Sequence, residues 1–143
     1  MHRTLPVLRC LGLALALSTT VPHLAAADPL LVVASAASPI KALTPQDLAD
    51  IYLDRNDARN LHGALPLDRA EEPLRERYYR SLGISPSTFR AHWAKRIFTG
   101  RGRPPTTVAS VELASALERN GNAIFYVESA ERPPRTRVLA TVD

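Results

Sequence analysis

Three groups of residues in this sequence have types and spacings suited to ligand chemistry. Ser35 and Ser38, in Ala34-Ser35-Ala36-Ala37-Ser38-Pro39, follow an apolar run and can offer hydroxyls to a ligand at a strand's carboxyl end; the same Ser38-Pro39 pair also reads as a plain turn. Arg69 stands just ahead of Glu71, Glu72 and Pro73, so a guanidinium meets two carboxylates at a helix start. Thr99, Arg101 and Arg103 lie in Ile97-Phe98-Thr99-Gly100-Arg101-Gly102-Arg103-Pro104-Pro105, where two cations sit among glycines and can face an anionic solute, a partner or a membrane surface.

Other chemistry finds little support. Adjacent Glu71 and Glu72 point apart at a helix start, which suits capping better than acid/base catalysis. His62 and His92 have no cysteine or glutamate at ligand spacing, so they read as a loop and a helix-surface histidine, and no metal or other cofactor is expected. No nucleophile elbow, phosphate-binding glycine loop or cysteine nucleophile is present, and the expectation is a protein without catalytic residues.

The elements that must position these side chains begin with a targeting pattern. Arg3 and Arg9 precede the apolar run Leu11 to Leu17, and Ala25-Ala26-Ala27 supplies small residues before Asp28. This is the layout of a secretory signal peptide over 1–27, cleaved after Ala27, with the working domain at 28–143 in the periplasm. The alternative keeps the segment as an anchor. Cleavage would remove Cys10, the single cysteine, and would lower the formal charge from +4 to +2 by taking away Arg3 and Arg9. Export and that small charge argue against a nucleic-acid binder that reads phosphates with Arg90, Lys95, Arg96, Arg101 and Arg103.

The remaining chain has the length for one modest core, and its patterning alternates strands with helices. Leu30 to Ala34 reads as a central strand buried on both faces. Thr44, Pro45 and Asp47 open a helix that runs to about Leu53, with Leu43 able to pack on Leu48. The polar stretch from Asp54 to Gly63 reads as a loop. Ala64 to Asp68 is a short strand that Pro66 confines to an edge or to a non-bonding position. A second helix starts at Pro73 with Leu74, Tyr78 and Leu82 on one face, and a third at Ser85-Pro86 with Phe89, Trp93 and Ile97 inward. Gly100 stops that helix, Pro104-Pro105 form an extended bridge, and Ser110 caps a fourth helix with Leu113, Ala114 and Leu117 inward. Ala123 to Val127 and Arg137 to Val142 complete an α/β domain of order β-α-β-α-α-α-β-β with a mixed sheet flanked by helices.

These pieces, in this order, resemble a known family. Leu43-Thr44-Pro45-Gln46-Asp47-Leu48-Ala49-Asp50-Ile51-Tyr52-Leu53, the strand Leu65 to Arg69, Trp93 with Ile97 to Gly100, Val108-Ala109-Ser110 and Asn120 to Val127 are similar to the phosphate ABC-transporter substrate-binding proteins, of the type 2 periplasmic binding fold. The likeness is to their short, single-lobe members. It implies an exported binding protein that takes a small anionic solute such as phosphate or another oxyanion, or docks a membrane transporter or sensor component, or pairs with a second copy of itself. The ligand contacts it leaves to test are Ser35, Ser38, Arg69, Thr99, Arg101 and Arg103.

The sequence also departs from that family. In full-length receptors the arginine is followed by Ser-Gly-Thr at a helix start, which holds phosphate between two lobes; here Arg69 is followed by Ala70, Glu71, Glu72 and Pro73. Bound phosphate would meet the chain's own negative charge, and Pro73 removes an N–H donor. Asp54, Asn122 and Phe125 stand where the family has glycine.

Overall fold

The computed structural model describes residues 27–143, so Cys10 and all of the expected signal sequence but its last residue, Ala27, lie outside the described residues. Among the described residues no helix is long and apolar enough to cross a membrane.

The first strand, β1 (Leu30–Ser35), is apolar up to its last residue because both of its faces are covered. Leu30, Val32 and Ala34 pack into one hydrophobic cluster, and Val33 with Leu31 into the other. It is bracketed on both sides by antiparallel partners, β4 (Ala123–Glu128) and β5 (Thr136–Val142). On the far side of β4 lies β2 (Leu65–Arg69), parallel to it, and then β3 (Thr106–Val108), parallel to β2. The sheet order is β3-β2-β4-β1-β5. The carboxyl ends of β2, β3 and β4 therefore share one edge with the amino end of β1, while Ser35 ends β1 at the opposite edge.

Helices cover both faces. On one side α1 (Pro45–Tyr52) and α3 (Glu72–Ser81) bring Leu48, Ile51, Tyr52, Tyr78 and Tyr79 against the sheet. On the other, α5 (Leu113–Arg119) packs Leu113, Ala116 and Leu117 on Val33, Leu67, Phe125 and Val127. The inward residue is Ala116 rather than the expected Ala114, which is exposed. The start of α1 forms as its sequence dictates: the Thr44 hydroxyl accepts the Asp47 N–H at 3.1 Å, and the Asp47 carboxylate accepts the Thr44 N–H at 2.8 Å. The Thr44 N–H bond, then a bond that the Thr44 hydroxyl donates to the same carboxylate at 2.8 Å, holds the Asp47 carboxyl below its usual range. α4 (Pro86–Phe98) likewise starts at Ser85, whose hydroxyl accepts the Thr88 N–H at 3.1 Å.

Several expectations need correction. The stretch after Leu53 contains a one-turn helix, α2 (Ala58–Leu61), because Ala58 is buried in the core cluster and Asp54, Asn56 and Asp57 adopt left-handed turns around it. The bridge after Pro105 becomes β3, since its extended backbone lies alongside Leu67–Arg69. Of the two placements open to Pro66, the edge is not the one found: its strand is interior, and the ladder to β3 starts only at Leu67, which leaves Pro66 unpaired on that side as the non-bonding alternative had it. Ser110 does not cap α5. It opens a 3-10 turn (Ser110–Glu112) whose first N–H group, on Ala109, is taken by the Glu112 carboxylate at 3.2 Å. Finally, Ile97 is 56% exposed and Phe98 92%, because α4 overruns the core by its last turn.

Candidate functional site

Beyond Pro66 and Ile124 the ladder between β2 and β4 stops, and side chains satisfy the backbone groups of the gap. The Tyr52 hydroxyl donates to the Leu67 carbonyl at 3.0 Å. The Arg69 N–H is shared between the Asp68 carboxylate, at 2.9 Å, and the Tyr126 hydroxyl, at 3.3 Å. The parted strands end on two consecutive buried charges, Asp68 and Arg69, whose side chains go to different partners.

Asp68 enters the aromatic cluster. It accepts hydrogen bonds from the Tyr79 hydroxyl at 2.9 Å and from the Tyr126 hydroxyl. Burial raises its carboxyl above the usual range, and the bonds from Tyr126, the Arg69 amide and Tyr79 oppose that rise. Tyr52, Tyr78, Tyr79 and Tyr126, all four tyrosines of the chain, pack on one another here, with Tyr78 stacked on Tyr126 at 3.8 Å between ring centroids.

Arg69 is fully buried, yet its guanidinium has a partner on every side. Nε donates to Glu71 Oε2 at 3.0 Å, Nη1 to the Tyr126 carbonyl at 3.0 Å, and Nη2 to the Ser110 hydroxyl and to Glu131 Oε2 at 3.3 Å. The other Glu71 oxygen, Oε1, accepts the Ser110 N–H at 3.0 Å and the Ser110 hydroxyl at 2.8 Å. A carboxylate is thus gripped by a guanidinium, a backbone N–H and a hydroxyl, which is the donor set that binds an oxyanion. Partial burial raises the Glu71 carboxyl, but the two Ser110 bonds, its own backbone N–H and the Arg69 charge outweigh it and hold the group at about 2. The neighbouring Glu72 turns away and pairs with Arg75 at 2.8 Å. A depression of about 360 Å³ opens over this corner, lined by Arg69, Glu71, Arg77, Glu128 and Glu131 among others. Arg77 and Glu128 pair across it at 3.0 Å.

The remaining sequence candidates lie elsewhere. Ser35 and Ser38 share a turn at the opposite sheet edge from Arg69. The Ser35 hydroxyl accepts the Ala37 N–H at 3.4 Å, and the buried Ser38 hydroxyl accepts the Ile40 N–H at 3.3 Å, so both stabilise the turn. A larger depression, about 550 Å³, lies beside Ser35, but its walls are mainly alanine, leucine and proline, and its charged pair, Arg135 and Glu118, is solvent-exposed. No buried polar group converges there, so size does not make it the better candidate. Thr99 closes α4 by donating to the Lys95 carbonyl at 2.9 Å. Arg101 and Arg103 have exposed side chains, and their carbonyls are held by Arg96 at 2.7 Å and Arg59 at 3.4 Å. The six candidates therefore form three separate groups, and only Arg69 sits in a convergent polar site.

Sequence reasoning missed Ser110, Asp68, Tyr126 and Glu131. A charged pair, Asp68-Arg69, closing an apolar strand was the available signal, because a buried charge must find partners. Of the histidines, His62 lies 3.6 Å from Asp47, and His92 is half-buried with Nε2 at 2.6 Å from the Leu53 carbonyl. Among the described residues no group of three His, Cys, Asp or Glu is placed to hold a metal ion.

Neither a protein-family model nor a curated protein matches this chain. Its structure is similar to that of a Clostridium perfringens protein classed as a phosphate ABC transporter substrate-binding protein and solved with bound phosphate, at a TM-score of 0.59 and 16% identity over 78% of this chain. It is also similar to an ABC-type phosphate transport receptor from Vibrio cholerae, at a TM-score of 0.56 and 15% identity over 78% of the chain. The match covers 44% and 45% of those two proteins, so this chain spans less than half of their length. The chain has the fold of part of a phosphate ABC transporter substrate-binding protein: a five-stranded mixed sheet flanked by helices.

Proposed function

We propose that this chain is an exported, non-enzymatic binding domain of the cell envelope, at work in solute transport or sensing, and that the carboxyl edge of β2 and β4 around Arg69 is its binding face. The reading favours a partner protein over a free phosphate ion as the ligand. One observation carries it: the donors of Arg69 and Ser110 already hold the Glu71 carboxylate, and Glu128 and Glu131 line the same depression. A free phosphate entering there would have to displace one carboxylate and tolerate two more. A partner chain that brings cations of its own would find those carboxylates complementary. Export rests on the pattern of residues 1–27.

A second reading, retention of a small anionic solute, is favoured by the buried Arg69 itself and by the phosphate bound to the Clostridium perfringens neighbour. Native mass spectrometry of the protein taken directly from the periplasmic fraction separates the two. The expected result is a complex with a second, different polypeptide and no retained phosphate. Stoichiometric phosphate or sulfate on the wild-type chain would overturn the partner reading in favour of the solute, and a bare homodimer would replace the heterologous partner with a second copy.

A further inference from the structure

We propose that Arg69 and Ser110 form a seat for a tetrahedral oxyanion and that the Glu71 carboxylate is its built-in occupant, so that the wild-type chain excludes free anions by filling the seat itself. The proposal takes the Arg69 corner as the binding face, as above, but does not depend on what partner docks there.

The geometry is that of a bound ligand rather than of a surface ion pair. The two oxygens of Glu71 are used separately: Oε2 faces the Arg69 guanidinium at 3.0 Å, and Oε1 faces the Ser110 N–H at 3.0 Å and hydroxyl at 2.8 Å. The Ser110 hydroxyl in turn accepts from Arg69 Nη2, so the donors are locked to one another as well as to the carboxylate. Arg69 cannot turn aside, because Nη1 is fixed on the Tyr126 carbonyl at 3.0 Å and its side chain is fully buried. Ser110 cannot turn aside either, since it opens the 3-10 turn that leads into α5. The occupant is the movable part. Glu71 precedes α3 as its N-cap residue, makes no side-chain bond to that helix's amides, and keeps 40% of its side chain exposed. A seat of fixed donors whose occupant is a half-exposed carboxylate outside the helix it precedes can be emptied without dismantling the fold.

The consequence is quantitative. When the open form is a small fraction of molecules, apparent affinity for a free anion falls by that fraction, and removing the intramolecular occupant restores it. A carboxylate tethered two residues from the arginine has an effective concentration in the millimolar range or above. The expected gain in phosphate affinity on removing it is therefore about tenfold or more.

The test uses the mature chain with inorganic phosphate, and separately sulfate, titrated against chloride at matched ionic strength, read by melting temperature and calorimetry. Glu71→Ala should gain a phosphate-dependent rise in melting temperature that wild type lacks, and Glu71→Gln a smaller one, because the amide keeps the Ser110 contact without the charge. Adding Ser110→Ala to Glu71→Ala should abolish most of the gain. If Glu71→Ala is too unstable to study alone, phosphate should rescue its folding. The proposal is overturned if wild type binds phosphate as tightly as Glu71→Ala, or if neither Glu71 variant responds to phosphate or sulfate beyond chloride. Absence of any partner complex on the wild-type chain, together with a phosphate gain in the Glu71 variants, would sink the partner reading and leave the seat standing.

Discussion

Asp68 and Arg69 are adjacent, oppositely charged and buried, yet they do not neutralise each other side chain to side chain. Strand alternation sends consecutive side chains to opposite faces, so each charge needs its own partners. Asp68 receives two tyrosine hydroxyls and one amide; Arg69 receives two carboxylates, a carbonyl and a serine hydroxyl. Removing a partner from a buried charge costs more than the bond's net worth, because the charge stays behind unsolvated. The tyrosine cluster offers a matched pair of variants. Tyr79 is the donor to Asp68 Oδ2, so Tyr79→Phe leaves that oxygen buried without a bond and should cost about 1–3 kcal/mol. The Tyr78 hydroxyl, equally buried, has no partner in hydrogen-bond geometry among the described residues, so Tyr78→Phe should be neutral or slightly stabilising. Urea denaturation of the two variants measures both; equal losses would mean that ring packing, not the carboxylate bond, holds this corner.

At the scale of elements, the end of α4 and the loop that follows show how a polar substructure can be buried under an exposed one. Arg96 and Arg59 lie within 6 Å of the Trp93 ring and reach Asp54 at 2.7 and 3.8 Å; the same Arg96 Nη2 also donates to the Arg101 carbonyl, and Arg59 Nη1 donates to the Arg103 carbonyl. Asp54 takes a left-handed backbone, φ 50°, in order to face both guanidiniums. Gly102, at φ 143°, passes so close that an added Cβ would lie 3.2 Å from both Arg96 Nη2 and Asp54 Oδ2. Gly102→Ala should therefore cost about 1–3 kcal/mol, seen as a lowered urea midpoint. Exchanging both Arg101 and Arg103 for serine in parallel should leave that midpoint almost unchanged, because only their backbones are held. A double exchange as damaging as the alanine would show that the arginine side chains support the loop. Much of this element was legible in the sequence: Ser85, Pro86 and Gly100 mark the helix ends through local backbone chemistry. Ile97 was not, since apolar spacing of four residues states which face is apolar but not how far the core extends beneath it. The same limit applies to the candidate site. Arg69 and the Glu71 charge were visible as neighbours, whereas Ser110, 41 residues away, reads as a helix cap until β3 and β2 bring it alongside.

For the whole molecule, the governing feature is that the first strand of the described chain pairs with the last. β1 lies between β4 and β5, so its apolar faces are closed only after nearly the entire chain has been placed. Such non-local pairing makes folding slower than in a helical bundle of this size and ties distant elements into one unit. Trp93, the single tryptophan, is buried in α4 against Phe89 and reports on that helix, whereas far-UV circular dichroism reports on all elements. The two signals should follow one coincident transition in urea. A sharper version removes Thr136–Val142. That deletion strips β1 of one partner and takes away the buried Leu139 and Val142, about 3–6 kcal/mol of apolar burial set against a total stability of about 5–15 kcal/mol for a domain of this kind. The truncated chain should lose its secondary structure and the native Trp93 emission together, although Trp93 lies in a different layer from β5. Native emission that survives the deletion would mean that α4 and its neighbours fold independently of the β1–β5 pairing, and the sheet would then be a scaffold assembled onto a helical core that is already stable.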